Sequence, residues 1–110
     1  MIYQGSKRRI AKDILPYMTK YLTGDNYFID LFTGGGNLVS ALNYQKIIAN
    51  DLDSYVISTL KKLQESTSWL PCDNKQLTKE QYIEIQNSKD KFPKYLVGLV
   101  GYHLSYGGKW

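Results

Sequence analysis

Three consecutive glycines, Gly34 to Gly36, follow a short apolar run in the segment YFIDLFTGGGN, residues 27–37. The run is rich in aromatic and β-branched residues and predicts a buried β-strand. Apolar residues at helical spacing from Leu38 onward predict that a helix begins near Asn37. Glycine in such a loop leaves the backbone bare, so that a ligand can approach the main chain closely. The glycine loop is therefore the first candidate binding site.

A second strand and a second helix follow the glycine loop. Tyr27 to Phe32 and Lys46 to Asn50 predict two short strands, and the next helix is expected from about Ser54. The first strand is apolar on both faces apart from Asp30, which is typical of a parallel strand covered on both sides. The order predicts a βαβ unit with a right-handed crossover. Because two strands make a marginal sheet, we expect the first part of a larger α/β domain.

The remaining segments predict helices and one connector. Apolar residues on one helical face predict a first helix that begins at the basic cluster Lys7 to Arg9. A polar connector is expected from Glu65 to Lys75, and Thr78 with Gln81 three residues later resembles a capping box that opens a helix through about Ser88. Pro93 suits the first turn of a last helix that runs through Leu104. We therefore divide the chain into residues 1–64, which carry the loop motifs, and a helical segment, residues 65–110.

Composition excludes several classes of protein. The chain has 110 residues, of which 43% are apolar, and a net charge of +4 that is too mild to identify a nucleic-acid binder. The longest apolar run is too short to span a bilayer. Cys72 is the single cysteine, which excludes an internal disulfide and suits a reducing cytosol. His103 is the single histidine and is expected to be a packed or interfacial side chain, so we predict neither a zinc site nor a nucleophilic triad.

An acid after the second strand completes a nucleoside-binding pattern. At this position the Asp51 carboxylate can accept both hydroxyls of a ribose. The dinucleotide fingerprint G-x-G-x-x-G fits at Gly34 and Gly36 but requires glycine where the chain has Val39. Asp30 paired with Asp51 suits S-adenosylmethionine better, since that cofactor is cationic and has no pyrophosphate. A plain tight turn, with Asp51 capping the next helix, remains the alternative.

Three motifs in order resemble adenine-specific DNA methyltransferases of the bacterial and phage group in which the cofactor motifs precede the catalytic one. They are Y-x-G-S-K at residues 3–7, D-L-F-T-G-G-G-N at residues 30–37 and A-N-D-L at residues 49–52. L-S-Y-G-G-K-W at residues 104–110 resembles the segment that leads into the target-recognition region of that family. The resemblance implies a Rossmann-like, S-adenosylmethionine-dependent methyltransferase fold, of which this chain is the N-terminal part of a parallel sheet with flanking helices.

The resemblance also assigns roles to the matching positions. It places Tyr3 and Lys7 beside the adenosine and methionine parts of S-adenosylmethionine, and Asp51 on the ribose hydroxyls. The loop under the methionine would comprise Asp30, Phe32, Gly34 and Gly36. Arg8 and Arg9 are outside the pattern. For these two we infer a DNA phosphate contact, with plain solvation as the alternative.

The catalytic motif of that family is absent from the 110 residues. The Asp/Asn-Pro-Pro-Tyr/Phe tetrad holds a flipped adenine, but Pro16, Pro71 and Pro93 are isolated. We expect the S-adenosylmethionine-binding part of a phage-type DNA adenine methyltransferase, acting on double-stranded DNA in the bacterial host cytoplasm and inactive alone. The alternatives are a non-catalytic remnant that binds the cofactor or a protein, and a nicotinamide-dependent fold. Self-association through an unfinished sheet edge or an apolar C-terminus is a further expectation.

Overall fold

The computed structural model describes residues 3–70 and 77–106. Two strands and a set of short helices alternate along the chain, in the order that the sequence predicts. The strands are β1 (Phe28–Asp30) and β2 (Ile47–Ala49), and the helices are α1 (Ala11–Thr19), α2 (Asn37–Ala41), α3 (Ser54–Glu65), α4 (Lys79–Asn87) and α5 (Lys94–Leu99). Cys72 and the last four residues of the L-S-Y-G-G-K-W motif lie outside the described residues.

The two strands form a parallel sheet, and this confirms the predicted βαβ unit. Phe28 pairs with Ile47 and Asp30 with Ala49, while α2 lies in the connection between the strands. Both strands are shorter than predicted. Backbone pairing nevertheless continues past β1, because the N–H of Asn50 donates to the Asp30 carbonyl and that of Thr33 donates to the Asn50 carbonyl, each at 2.8 Å. The start of the glycine loop is thereby tied to the end of β2.

One face of this sheet is open, so the prediction of strands covered on both sides is wrong for the described residues. Ile29 and Ile48 are register partners on the same face, and they are 54% and 47% exposed. The physical reason is that the helices pack mainly on one another, α3 against α5 and α1 against α2. The apolar pattern of the strands thus predicts helices packed on both faces of the sheet, whereas the described helices leave one face exposed.

The core lies among α3, α4 and α5. Ile85, Val97 and Val100 are buried together, and Tyr55 packs against them. Gly98 brings α5 close to α3, because a Cβ at this position would lie 2.5 Å from the Tyr55 carbonyl oxygen. The two helices are also linked by the buried Thr59 hydroxyl, whose oxygen lies 2.8 Å from the Tyr55 carbonyl of α3 and 3.0 Å from the Tyr95 carbonyl of α5.

Helix ends agree with the sequence in part. The Thr78 and Gln81 side chains form the predicted capping box at the start of α4. Pro93 is the N-cap of α5 rather than a residue of its first turn, and α5 passes into a π-helical turn, Val100–Leu104, where a regular helix was predicted. Within residues 3–70 and 77–106, no helix is both long enough and apolar enough to cross a membrane.

Candidate functional site

A pocket of about 310 Å³ lies where β1 and β2 end, against the glycine loop. Its volume is at the lower end of the range for small-molecule sites. Five of the seven residues that the sequence predicts for cofactor binding line it: Tyr3, Lys7, Phe32, Gly34 and Asp51. Asp30 and Gly36 are outside the lining. The lining also includes Gly35 of the predicted glycine loop, and four residues that were not singled out although they lie within the quoted motifs: Gly5, Ser6, Thr33 and Asn37.

Gly34 and Gly36 have backbone conformations that glycine favours, with φ of 52° and 74°. A Cβ at Gly34 would lie 2.8 Å from Cε1 of Tyr3, and one at Gly36 would lie 3.1 Å from Cδ2 of Leu60. The groups that approach the bare backbone are therefore side chains of the chain itself. At Gly34 this neighbour is a wall of the pocket, and at Gly36 it is a side chain of α3.

Asp51 joins the loops that follow the two strands. Its Oδ2 accepts the Gly34 N–H at 2.7 Å, and its Oδ1 accepts the Asp53 N–H at 3.0 Å. The carboxylate is half-buried and lines the pocket. Since a carboxylate has about four acceptor positions, the two oxygens can each accept a further hydrogen bond. These contacts orient Asp51, but it is Asp53 that caps α3, accepting the N–H groups of Tyr55 and Val56.

Asp30 carries a buried acceptor that lacks a donor. The residue is 7% exposed, its Oδ1 accepts the Phe32 N–H at 3.1 Å, and no described residue donates to its Oδ2. The Lys7 ammonium donates to the Phe32 carbonyl and lies 3.7 Å from Asp30 Oδ1. An unpartnered buried acceptor is costly, so Asp30 can gain from an additional donor or cation.

Tyr3 forms the wall of the pocket above Gly34. Its ring packs on Tyr102, with 5.3 Å between the ring centroids and 48° between the planes. The Tyr102 hydroxyl donates to Asp53 Oδ2. Burial raises the pKa of both tyrosines above the ordinary value, and nearby Asp51 and Asp53 raise it further. Both hydroxyls are therefore protonated at neutral pH, and that of Tyr102 is the donor to Asp53 Oδ2. No periodic pattern in the sequence predicts that Tyr102 reaches this site.

Arg8 and Arg9 are exposed beside the pocket but do not line it. They belong to a separate 3-10 turn, Lys7–Arg9, whose N-cap is Ser6, and α1 begins only at Ala11. The prediction that the basic cluster starts the first helix is therefore wrong. Ser6 accounts for the separate turn, because its hydroxyl accepts the Arg8 N–H. The phosphate contact predicted for the two arginines stays a prediction.

The single histidine and the possible metal ligands were the other candidates for a functional site. His103 lies in the π-helical turn and is exposed, so it is not packed in the core of this chain, and its prediction as an interfacial side chain stays a prediction. Among the described residues, no group of three or more His, Cys, Asp and Glu side chains gathers as metal ligands would. The geometry provides a pocket lined by one acid, Asp51, by the Tyr3 ring and by Lys7, and the buried Asp30 carboxylate lies next to that lysine. This arrangement can bind a ligand with cationic and hydroxyl groups.

These features define an α/β unit with a pocket at its glycine loop. The chain belongs to the D12 class N6 adenine-specific DNA methyltransferase family, whose family model matches residues 3–96. The matched range includes every predicted cofactor-binding residue, whereas the L-S-Y-G-G-K-W motif at residues 104–110 lies beyond it.

A search of curated proteins found a relative, the type II methyltransferase M.FokI of Planomicrobium okeanokoites. It is 32% identical over 65 residues, which are 59% of this chain and 10% of the relative. The chain thus spans about a tenth of the length of the curated relative that it matches. No solved structure matched the chain.

Proposed function

We propose that this chain is the S-adenosylmethionine-binding part of a DNA adenine methyltransferase. The observation that carries the proposal is the pocket at the ends of β1 and β2, with Asp51 in its lining and the partnerless Asp30 oxygen beside it. Both acids lie within the range that matches the family. The proposal includes the Rossmann-like fold, of which β1, α2, β2 and α3 would be the first part, and the division at residue 64.

The residues present fit the chemistry of this cofactor. Asp30 Oδ2 offers a buried acceptor to a cationic amino group, while Lys7 keeps the local charge near balance. Asp51, already oriented by the N–H groups of Gly34 and Asp53, retains acceptor positions for the two ribose hydroxyls. Tyr3 offers an aromatic face to the adenosine. Phe32 lines the pocket and is largely exposed, so it is available to the same ligand.

When bound, S-adenosylmethionine supplies a methyl group on a cationic sulfonium. The residues of this chain bind and orient it, and the acids balance its positive charge. The proposed substrate is the exocyclic amine of adenine in double-stranded DNA. Arg8 and Arg9, exposed beside the Lys7 wall of the pocket, are proposed to contact its phosphates. Bacterial host cytoplasm is the proposed location, because the proposed substrate and cofactor are found there.

The test of cofactor choice is a pair of calorimetric titrations of the purified chain, one with S-adenosylhomocysteine and one with NAD. We expect saturable binding of S-adenosylhomocysteine and none of NAD, because Val39 occupies the third glycine position of the dinucleotide fingerprint. Binding of NAD in place of S-adenosylhomocysteine would identify a dinucleotide site. Binding of neither ligand would contradict the proposal and favour a remnant that binds a protein.

We also expect that the 110-residue chain does not methylate DNA. The sequence contains no Asp/Asn-Pro-Pro-Tyr/Phe tetrad, and Phe92-Pro93-Lys94-Tyr95 lacks both the leading polar residue and the second proline. Without that tetrad, nothing in the chain matches the group that holds a flipped adenine in this family. The measurement is transfer of tritium from labelled S-adenosylmethionine to duplex DNA, with a complete DNA adenine methyltransferase as positive control. Transfer above background by the purified chain would refute this expectation.

A further inference from the structure

We infer that Tyr102 is a positioning residue that holds two walls of the pocket, Tyr3 through its ring and Asp51 through its hydroxyl. The identity of the ligand in this inference rests on the proposed function, whereas the contacts of Tyr102 are within this chain. Tyr102 lies in the π-helical turn after α5, beyond the range that matches the family. It does not line the pocket, so its role is exerted through its neighbours.

The first contact is between aromatic rings. The Tyr102 and Tyr3 rings lie 5.3 Å apart, a separation typical of favourable aromatic pairs. The Tyr3 ring also occupies the space next to Gly34, where even a Cβ would collide with it. Tyr3 thus contacts both the glycine loop and Tyr102. Removal of the Tyr102 ring would remove one of these two contacts.

The second contact runs through the turn before α3. The Tyr102 hydroxyl donates to Asp53 Oδ2, while Asp53 Oδ1 accepts the N–H groups of Tyr55 and Val56 in the first turn of α3. The Asp53 N–H donates to Asp51 Oδ1, and Asp51 Oδ2 accepts the Gly34 N–H. One continuous set of hydrogen bonds therefore connects Tyr102, Asp53, Asp51 and Gly34. Tyr102 bonds to the Asp53 side chain and Asp51 to the Asp53 backbone N–H, so Tyr102 acts on Asp51, which we propose to bind the ribose, by holding the backbone of this turn in place.

The π-helical turn explains how a residue from the end of the described chain reaches this place. A π turn accommodates one more residue than an α turn, and so rotates the side chains that follow it. The Ser105 hydroxyl closes the turn by donating to the Gly101 carbonyl. Val100 and Gly101 are buried in the core, so the turn is anchored beside Tyr102. π turns are frequent at functional sites, which agrees with this placement.

The experiment compares Tyr102→Phe, which keeps the ring, with Tyr102→Ala, which removes it. Calorimetric titration with S-adenosylhomocysteine is expected to show about fivefold weaker binding for Tyr102→Phe, because one hydrogen bond is lost, and about 30-fold weaker binding for Tyr102→Ala. Tyr106→Phe and Tyr106→Ala are the matched controls, because Tyr106 is 97% exposed, and wild-type affinity is expected for both. Val97→Ala controls for stability, because it should lower Tm without changing affinity below the transition.

Amide resonances of the ligand-free protein give a second readout. In ¹⁵N-correlated NMR spectra, Tyr102→Phe is expected to shift the Asp53 and Gly34 amides, because hydrogen bonds link both to the Tyr102 hydroxyl. Tyr102→Ala is expected to shift the Gly34 amide further, because the ring that contacts Tyr3 is also lost. Unchanged Gly34 and Asp53 amides, or unchanged affinity in both variants, would overturn the inference. If the wild type binds no S-adenosylhomocysteine, the proposed function fails, and the amide shifts then test on their own whether Tyr102 positions Tyr3 and Asp51. If Tyr102→Ala does not fold, the affinity and amide shifts of Tyr102→Phe test the inference.

Discussion

Asp51→Ala is expected to weaken the binding of S-adenosylhomocysteine by about 100-fold or more. Two charge-assisted hydrogen bonds to ribose hydroxyls would be lost, each worth about 1.5–3 kcal/mol. Their loss alone accounts for at least a 100-fold effect, because 1.4 kcal/mol corresponds to a factor of ten. The substitution also leaves the Gly34 and Asp53 N–H groups without their acceptors, so the glycine loop loses part of its orientation.

Calorimetric titration measures this effect, and two further variants separate its causes. Asp51→Asn keeps one oxygen that can accept a backbone N–H, and it should bind with intermediate affinity. Asp25→Ala removes an exposed carboxylate from the turn before β1, and it should bind as the wild type does. Wild-type affinity in Asp51→Ala, with an unchanged melting curve, would show that Asp51 has only the role of orienting the turn before α3.

Local signals in the sequence predict much of the fold. The glycine loop, the acid after the second strand and the Thr78 capping box each depend on a few adjacent residues, and the structure has all three. The pocket could be placed for the same reason, since parallel strands bring their carboxyl ends to one edge. The residues that line it but were not singled out, such as Ser6 and Asn37, are neighbours of predicted residues.

The features that the sequence does not predict depend on contacts between distant segments. Gly34 suggested a closely approaching ligand, but its nearest neighbour is the Tyr3 ring, from a residue 31 positions away. The strand pattern predicts cover on both faces, yet Ile29 and Ile48 lie open because no described helix packs over them. The π-helical turn likewise has no periodic signature, because the apolar spacing up to Leu104 also suits a regular helix.

Gly98→Ala is expected to destabilise the fold by about 2–3 kcal/mol, the upper part of the range for overpacked cores. Alanine gains about 1 kcal/mol over glycine in a helix, so helix propensity alone predicts the opposite sign. Steric overlap outweighs that gain here, because the new Cβ would lie 2.5 Å from the Tyr55 carbonyl oxygen, a backbone atom that cannot rotate away. The helices α3 and α5 must separate, and this opens the core at Val97 and Val100.

Thermal unfolding followed by circular dichroism checks this expectation, with a fall in Tm of about 10 °C or more for a domain of this size. Gly24→Ala is the matched control. Gly24 has φ of 88° but nothing within 4 Å of a new Cβ, so it costs only the strain of a left-handed residue, about 1–2 kcal/mol. A Gly98→Ala variant as stable as the wild type would mean that α3 and α5 are not in close contact. Because α3 begins directly after Asp53, which holds Asp51, a separation of α3 from α5 should also loosen the pocket.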